Sequence, residues 1–282
     1  MIKLICAYFN FTDNPVYKQN YIKFRKNLNH PITTVEVALK HQKFFIDDSI
    51  KILANSNNLM WQKERMLNIA ISTLPDNCDK ICWLDTDIIF QNKNWLSDTE
   101  KLLDNYKIVQ VFDTVRESPQ INTSHNTISL AKCLHEKKPY NLIYPAIGLG
   151  WAFRRDILID DKIYDKDIVG NSDAMQLMCW FGCWNHDCIS SLYKPYQIEF
   201  LEWGWQSYEK VQSNFSFTPG KIHHFFHGRW QNRYYVARRG ILRSAEYIPS
   251  KDIELDSNCL YKFSTDQFEM QKQISKYFTE KT

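Results

Sequence analysis

The stretch Lys80-Ile81-Cys82-Trp83-Leu84-Asp85-Thr86-Asp87-Ile88-Ile89-Phe90 constrains this chain more than any other. Its unbroken apolar run reads as a strand buried on both faces, and such strands belong to mostly parallel sheets covered by helices. Two carboxylates spaced i and i+2 at its end would share one side of an extended backbone, with Thr86 on the other. A buried strand that ends in paired acids delivers charge to a crevice. Paired carboxylates suit a hard divalent cation, Mg²⁺ or Mn²⁺, and that cation suits a diphosphate. An acidic turn after a strand would present the same residues, so the pair takes its meaning from what surrounds it.

The surroundings alternate strand and helix. Lys3 to Phe11 reads as strand and Tyr17 to Leu28 as helix, with Tyr17, Tyr21, Phe24 and Leu28 on one stripe. Thr33 to Ala38 is rich in β-formers, Trp61 to Ile71 is helical, Trp95 to Leu103 is helical and Lys107 to Phe112 is a strand. Strands separated by helices predict an α/β fold, a mostly parallel central sheet flanked by helices, and ligands in such sheets bind beyond the carboxyl ends of strands. Later segments are less regular. Leu149 to Phe153 and Lys221 to Phe226 read as strands, Ala174 to Phe181 as a helix with Ser172 as N-cap, Ile198 to Val211 as an aromatic-rich segment, and Asp266 to Phe278 as an amphipathic helix. Neither a linker nor a repeat interrupts the chain. One compact domain over 1–282 is expected, with a nucleotide-binding half to about residue 115 and an acceptor half and tail from about 116.

Composition narrows the function classes. A net charge of +3 over 282 residues gives no nucleic-acid footprint. No apolar stretch approaches the roughly 20 residues that a membrane span needs. The opening segment runs into polar Asn10 and Asp13 without a small-residue cleavage site, so it reads as a strand and not as a leader. Eight cysteines without a C-x-x-C pair, several inside apolar runs, read as buried free thiols of a cytoplasmic protein. Cys179, Cys183, His186 and Cys188 fit no standard zinc spacing.

Four further clusters carry chemistry. In Lys221-Ile222-His223-His224-Phe225-Phe226-His227-Gly228-Arg229, an imidazole could complete a metal site begun by the two acids. Gly228 would admit close backbone approach to a phosphate, and Arg229 and Arg233 could pair with its oxygens. A regular strand would put His223 and His227 on one face and His224 on the other, an alternation that lapses if the strand ends near Phe225. In Trp61-Gln62-Lys63-Glu64-Arg65-Met66-Leu67-Asn68, Arg65 lies near Asn68 and Trp61 on a helix and could hold a nucleobase or phosphate. Asp173 follows Gly170-Asn171-Ser172 in a first helical turn, as a dipole partner or a general base. In Gly148-Leu149-Gly150-Trp151, the glycines admit close approach, and Trp151 could stack on a sugar or fill the core beside a tight turn.

Taken in order, "WQKERMLN", "ICWLDTDIIF", "GLGWAFRRD", "GNSDAMQ" and "HHFFHGRWQNRYY" resemble the GT-A glycosyltransferases, and in particular family-2-like members with a D-x-D motif. The likeness spans roughly Trp61 to Leu242. It implies a GT-A fold and a metal-dependent transfer of a sugar from a nucleotide-sugar, UDP-linked, to an acceptor hydroxyl, with inversion. By the resemblance, Asp173 is the base. The Mn²⁺ or Mg²⁺ ligands come from Asp85, Asp87, His224 and His227, with His224 favoured and His227 its close rival. The donor-binding set is Asn10, Lys63, Arg65, Asn68, Asp85, Gly228, Arg229 and Arg233, and Gly150 and Trp151 face the acceptor. That acceptor could be a glycan, a protein, a lipid or a modified nucleic acid. A Gly-Asn-Ser step before Asp173 departs from the glycine-rich step of related sequences. Two other readings use the same residues: a nucleotidyltransferase, which would want a glycine-rich loop after the first strand, and a non-enzymatic carbohydrate-binding module.

Overall fold

The computed structural model describes residues 1–118, 126–139, 145–228, 235–264 and 267–279. The strands run β1 (Lys3–Phe9), β2 (Ile32–Leu39), β3 (Ile50–Ala54), β4 (Lys80–Leu84), β5 (Ile88–Phe90), β6 (Ile108–Gln110), β7 (Thr114–Glu117), β8 (Asn126–Ile128), β9 (Gly150–Arg154), β10 (Phe215–Phe217), β11 (Lys221–His224), β12 (Ile253–Leu255) and β13 (Tyr261–Phe263). The helices are α1 (Pro15–Leu28), α2 (Lys63–Ser72), α3 (Trp95–Leu102), α4 (Leu130–His135), α5 (Ser172–Trp180), α6 (Asp187–Ser190), α7 (Lys194–Val211), α8 (Tyr235–Ser244), α9 (Pro249–Asp252) and α10 (Phe268–Thr279).

Seven strands form the central sheet in the order β10-β6-β9-β4-β1-β2-β3. β1 pairs in parallel with β2 and β4, β2 with β3, and β10 with β6, while β9 alone runs antiparallel between β4 and β6. The α/β architecture with a mostly parallel sheet between helices is therefore the one expected. Alternate residues of each strand feed opposite cores: Ile81 and Trp83 join one apolar cluster, Cys82 and Leu84 the other. Both faces of β4 are thus buried, as its unbroken apolar run requires. β9, far along the chain, sits in the middle of the sheet, so the two halves drawn from the sequence share one hydrogen-bonded core.

A second sheet of four strands, β5-β11-β7-β8, lies beside the first. The step between the two sheets is Asp85-Thr86-Asp87, because β4 belongs to the large sheet and β5 to the small one. The acids therefore stand on a turn, not on an extended strand, and the expected shared face for Asp85 and Asp87 does not form.

Several element ends differ from expectation for local reasons. The first strand stops at Phe9 because both polar ends of the buried Asn10 side chain bond the Asn14 backbone, and Asn14 caps Pro15 at the start of α1. α2 begins at Lys63, so Trp61 lies outside the helix and the i, i−4 relation to Arg65 does not arise. Asn171, not Ser172, is the N-cap of α5, and the Ser172 hydroxyl instead accepts from the Asp167 backbone. The aromatic-rich segment is the C-terminal part of α7, and β3 had no expectation attached.

Candidate functional site

Register across the small sheet builds the first half of the site. β11 lies between β5 and β7, with His224 opposite Ile88 on one side and beside Glu117 on the other. Asp87 immediately precedes Ile88, and its carbonyl accepts from the Phe225 backbone amide. β11 ends at His224, which frees residues 225–227 from strand alternation and lets His227 turn back toward the same acid. The result is a compact group: the Asp87 carboxylate stands 2.8 Å from His227 Nδ1 and 3.5 Å from His224 Nε2. One ligand atom from each of Asp87, His224 and His227 falls within 4.8 Å of the others. Among the described residues this is the one histidine, cysteine and acid group with metal-competent spacing, and the cysteines around His186 do not form another. His223, paired with Ile89 and Arg116, is not part of it.

Two buried atoms test whether a cation fits. Asp87 Oδ1 has no hydrogen-bond partner, and His224 Nε2 has only a long 3.5 Å approach to the other Asp87 oxygen; buried polar atoms left so poorly paired are costly. A cation between them would satisfy both. On its far side, His224 Nδ1 lies 2.7 Å from Glu117 Oε2, an arrangement that makes Nδ1 the donor and turns Nε2 toward Asp87. Burial opposes charge on His224, but Asp87 and Glu117 outweigh it and push its pKa up to about 10. Burial likewise opposes charge on Asp87, yet His227 and His224 hold its carboxyl well below the usual range. The donor set of two imidazoles and one carboxylate suits Mn²⁺ or a later transition metal better than Mg²⁺.

The second half is electrostatic. The Asp85 backbone amide donates to the Leu149 carbonyl, and its Oδ1 lies 2.5 Å from Lys63 Nζ at the start of α2. The same ammonium is 4.0 Å from Asp173 Oδ2 at the start of α5. Gly148 fits between the two acids: a Cβ there would sit 3.1 Å from Asp173 Oδ2 and 3.9 Å from Asp85 Oδ2. Glu64, buried next to Lys63, accepts from Trp61 Nε1 at 3.1 Å. Burial pushes its carboxyl up to about 8, against the pull of Lys63 and with added repulsion from Asp173. Lys63 is held above the ordinary lysine range, because Asp85, Asp173 and Glu64 outweigh the cost of burying it.

Several expected site residues stand elsewhere. Asp85 pairs with Lys63 and is not in the metal-competent group. Asn68 is buried and bonds the Ile163 backbone through both ends of its amide, and Asp165 as well. Arg65 bonds Asp165 and the Cys259 carbonyl. These two tie α2 to the segments around residues 163 and 259. Asn10 is engaged by Asn14 as described above. Trp151 is fully buried, donates its indole N–H to the Ile147 carbonyl and packs on Phe181, so its ring is core and not a sugar platform. Gly150 serves the packing of β9, where a Cβ would lie 2.7 Å from Val111 Cγ2. Gly228 has a φ of 126°, a conformation that favours glycine. Arg229 and Arg233 lie outside the described residues.

Glu117 and Glu64 had no role in the expectation, and Gly148 entered it only as one of two glycines admitting close backbone approach. Glu117 meets His224 only through a strand pairing 107 residues apart, which no local pattern signals. Lys63 and Glu64 did carry a signal: Lys63 falls three residues before the buried Met66 and four before Leu67, and Glu64 three before Leu67 and seven before Ile71, in phase with the apolar face of α2.

No protein-family model matches the sequence, and no curated protein does. Among solved structures, the chain is similar to the crystal structure of the galactosyltransferase LgtC in complex with donor and acceptor sugar analogs. The likeness covers 87% of this chain and 96% of that one, at 10% identity and a TM-score of 0.33. A likeness at that level carries no inference about activity.

Proposed function

We propose that this chain is a metal-dependent glycosyltransferase that moves a sugar from a nucleotide-sugar, UDP-linked, to an acceptor hydroxyl with inversion. One observation carries the reading. An Asp87–His224–His227 group, with His224 buried and the other two half-buried, brings three potential ligand atoms together next to Asp85, which shares the Lys63 ammonium with Asp173. Both clusters gather at the carboxyl end of a central parallel strand, where α/β sheets bind ligands.

Asp87, His224 and His227 would hold Mn²⁺, which when bound supplies positive charge against the negative charge that develops on a leaving diphosphate. Glu117 orients His224 for that task. Asp173, about a quarter exposed at the start of α5, accepts the proton of the acceptor hydroxyl, a contribution on the order of 10²–10⁴ in rate. The nucleotidyltransferase reading is disfavoured by the turn after β1, Asn10-Phe11-Thr12-Asp13-Asn14, which has no glycine to cradle a triphosphate. The acceptor class, among glycan, protein, lipid and modified nucleic acid, is set by the assay.

A panel of nucleotide-sugars with Mn²⁺, scored for release of nucleoside diphosphate and for thermal stabilisation, tests the proposal. Metal-dependent release of a nucleoside diphosphate supports it. Release of pyrophosphate, or glycan binding indifferent to metal and nucleotide, would overturn it.

A further inference from the structure

We propose that Lys63 is a positioning residue: its buried ammonium, shared between Asp85 and Asp173, fixes the Asp173 carboxylate beside Gly148, where it takes the acceptor's proton. The inference rests on the transferase reading and deepens it by naming what makes Asp173 a usable base. Lys63 is only about a tenth exposed, while its two partners are each about a quarter exposed. The cation is therefore anchored in the protein and the acids are the parts that reach the crevice.

Acidic and thiol groups face Asp173 besides Lys63. They are Glu64 from α2, Asp85 from the turn after β4, Asp167 from the loop before α5, and Cys188 from α6. All four are acids or thiols; among cations, Lys63 reaches within 4.0 Å of the Asp173 carboxylate, while Arg238 of α8 donates to the Gly170 carbonyl and acts on Asp167. Without Lys63, Asp85 and Asp173 would face each other across Gly148 with no ammonium between them to hold either carboxylate in place.

The acceptor O–H proton passes to an Asp173 carboxylate oxygen as the acceptor oxygen bonds the anomeric carbon. The bond from that carbon to the donor diphosphate breaks, and the electron pair leaves with the nucleoside diphosphate.

Lys63→Met is expected to lower kcat by roughly 10- to 100-fold, the cost of a misplaced reacting group, with a smaller change in donor KM. The acid limb of its kcat/KM profile should move to higher pH, and Lys63→Arg should restore most of the rate. Gly148→Ala leaves the ion pair in place but puts a methyl group 3.1 Å from Asp173 Oδ2, and should lower kcat without a matching rise in KM. A wild-type rate in Gly148→Ala, or an unmoved acid limb in a folded Lys63→Met, would overturn the inference. Carboxyl ¹³C NMR of Asp173 in substrate-free protein separates the two levels. A titration midpoint that rises in Lys63→Met supports the pairing even if no sugar is transferred, and an unchanged midpoint removes it even if transfer is observed.

Discussion

Replacing Glu64 with glutamine should make the protein progressively more stable than wild type as pH rises. Glu64 is buried beside Lys63 and Asp173, and its carboxyl titrates near 8 instead of the ordinary 4.5. An acid whose folded pKa is raised binds its proton more tightly when folded than when unfolded. Between those two values the native state holds more protons than the unfolded chain, so stability falls as pH rises. The gap of about 3.5 pH units corresponds to at most about 5 kcal/mol, at 1.36 kcal/mol per unit. Glutamine cannot ionise, yet its amide oxygen can still accept from Trp61 Nε1, the contact that Glu64 makes at 3.1 Å. Urea denaturation of both proteins at pH 4, 6 and 8.5 measures the effect. The two curves should lie close together at pH 4 and diverge in favour of Glu64→Gln by several kcal/mol at pH 8.5. A difference that stays flat across this window would refute the assignment of a buried, proton-holding Glu64.

Three other outcomes follow from the same geometry. Glu117→Gln should weaken Mn²⁺ binding about 10- to 100-fold in calorimetry while the fold persists, because it weakens the hydrogen bond that orients His224. Asn68→Ala should cost about 2–4 kcal/mol in urea denaturation, since it removes three buried hydrogen bonds, and should leave donor KM unchanged. His224 in the metal-free protein has its pKa raised to about 10, so its ion-pair stabilisation is full below about 6.5 and is lost as pH rises through about 10. Protons compete with the metal over the same range, and Mn²⁺ affinity measured by calorimetry should increase as pH rises from 6 to 9.

The centre of the sheet was legible because its strands are apolar on both faces, whereas the part-exposed edge strands β3 and β10 had no expectation attached. Ile81 and Trp83 serve one core and Cys82 and Leu84 the other, so a run with no polar interruption marks β4 without help from tertiary context. The functional group was legible as a set of residue types but not as a geometry. Strand alternation treats Asp85 and Asp87 as one pair, yet the chain turns there to change sheets and sends each acid to a different partner. Likewise, His224 and His227 meet one carboxylate because β11 stops at His224, a boundary set by pairing with β5 and β7. Arg65 and Asn68 look like ligand-binding side chains in the sequence, but their polar groups satisfy backbone atoms and an acid about 100 or more residues away. Trp151 shows the same limit. Its aromatic ring fits a sugar platform on chemistry alone, and only the placement of β9 in the centre of the sheet commits it to the core.

The central claim is that Asp87, His224 and His227 form a metal site from which Asp85 is separate. Mn²⁺ titration of the purified chain, followed by electron paramagnetic resonance, tests it directly. One Mn²⁺ should bind per wild-type chain, be lost in Asp87→Ala and His224→Ala, and be retained in Asp85→Ala. Absence of binding by the wild type, or loss of the ion in Asp85→Ala with retention in Asp87→Ala, would contradict it.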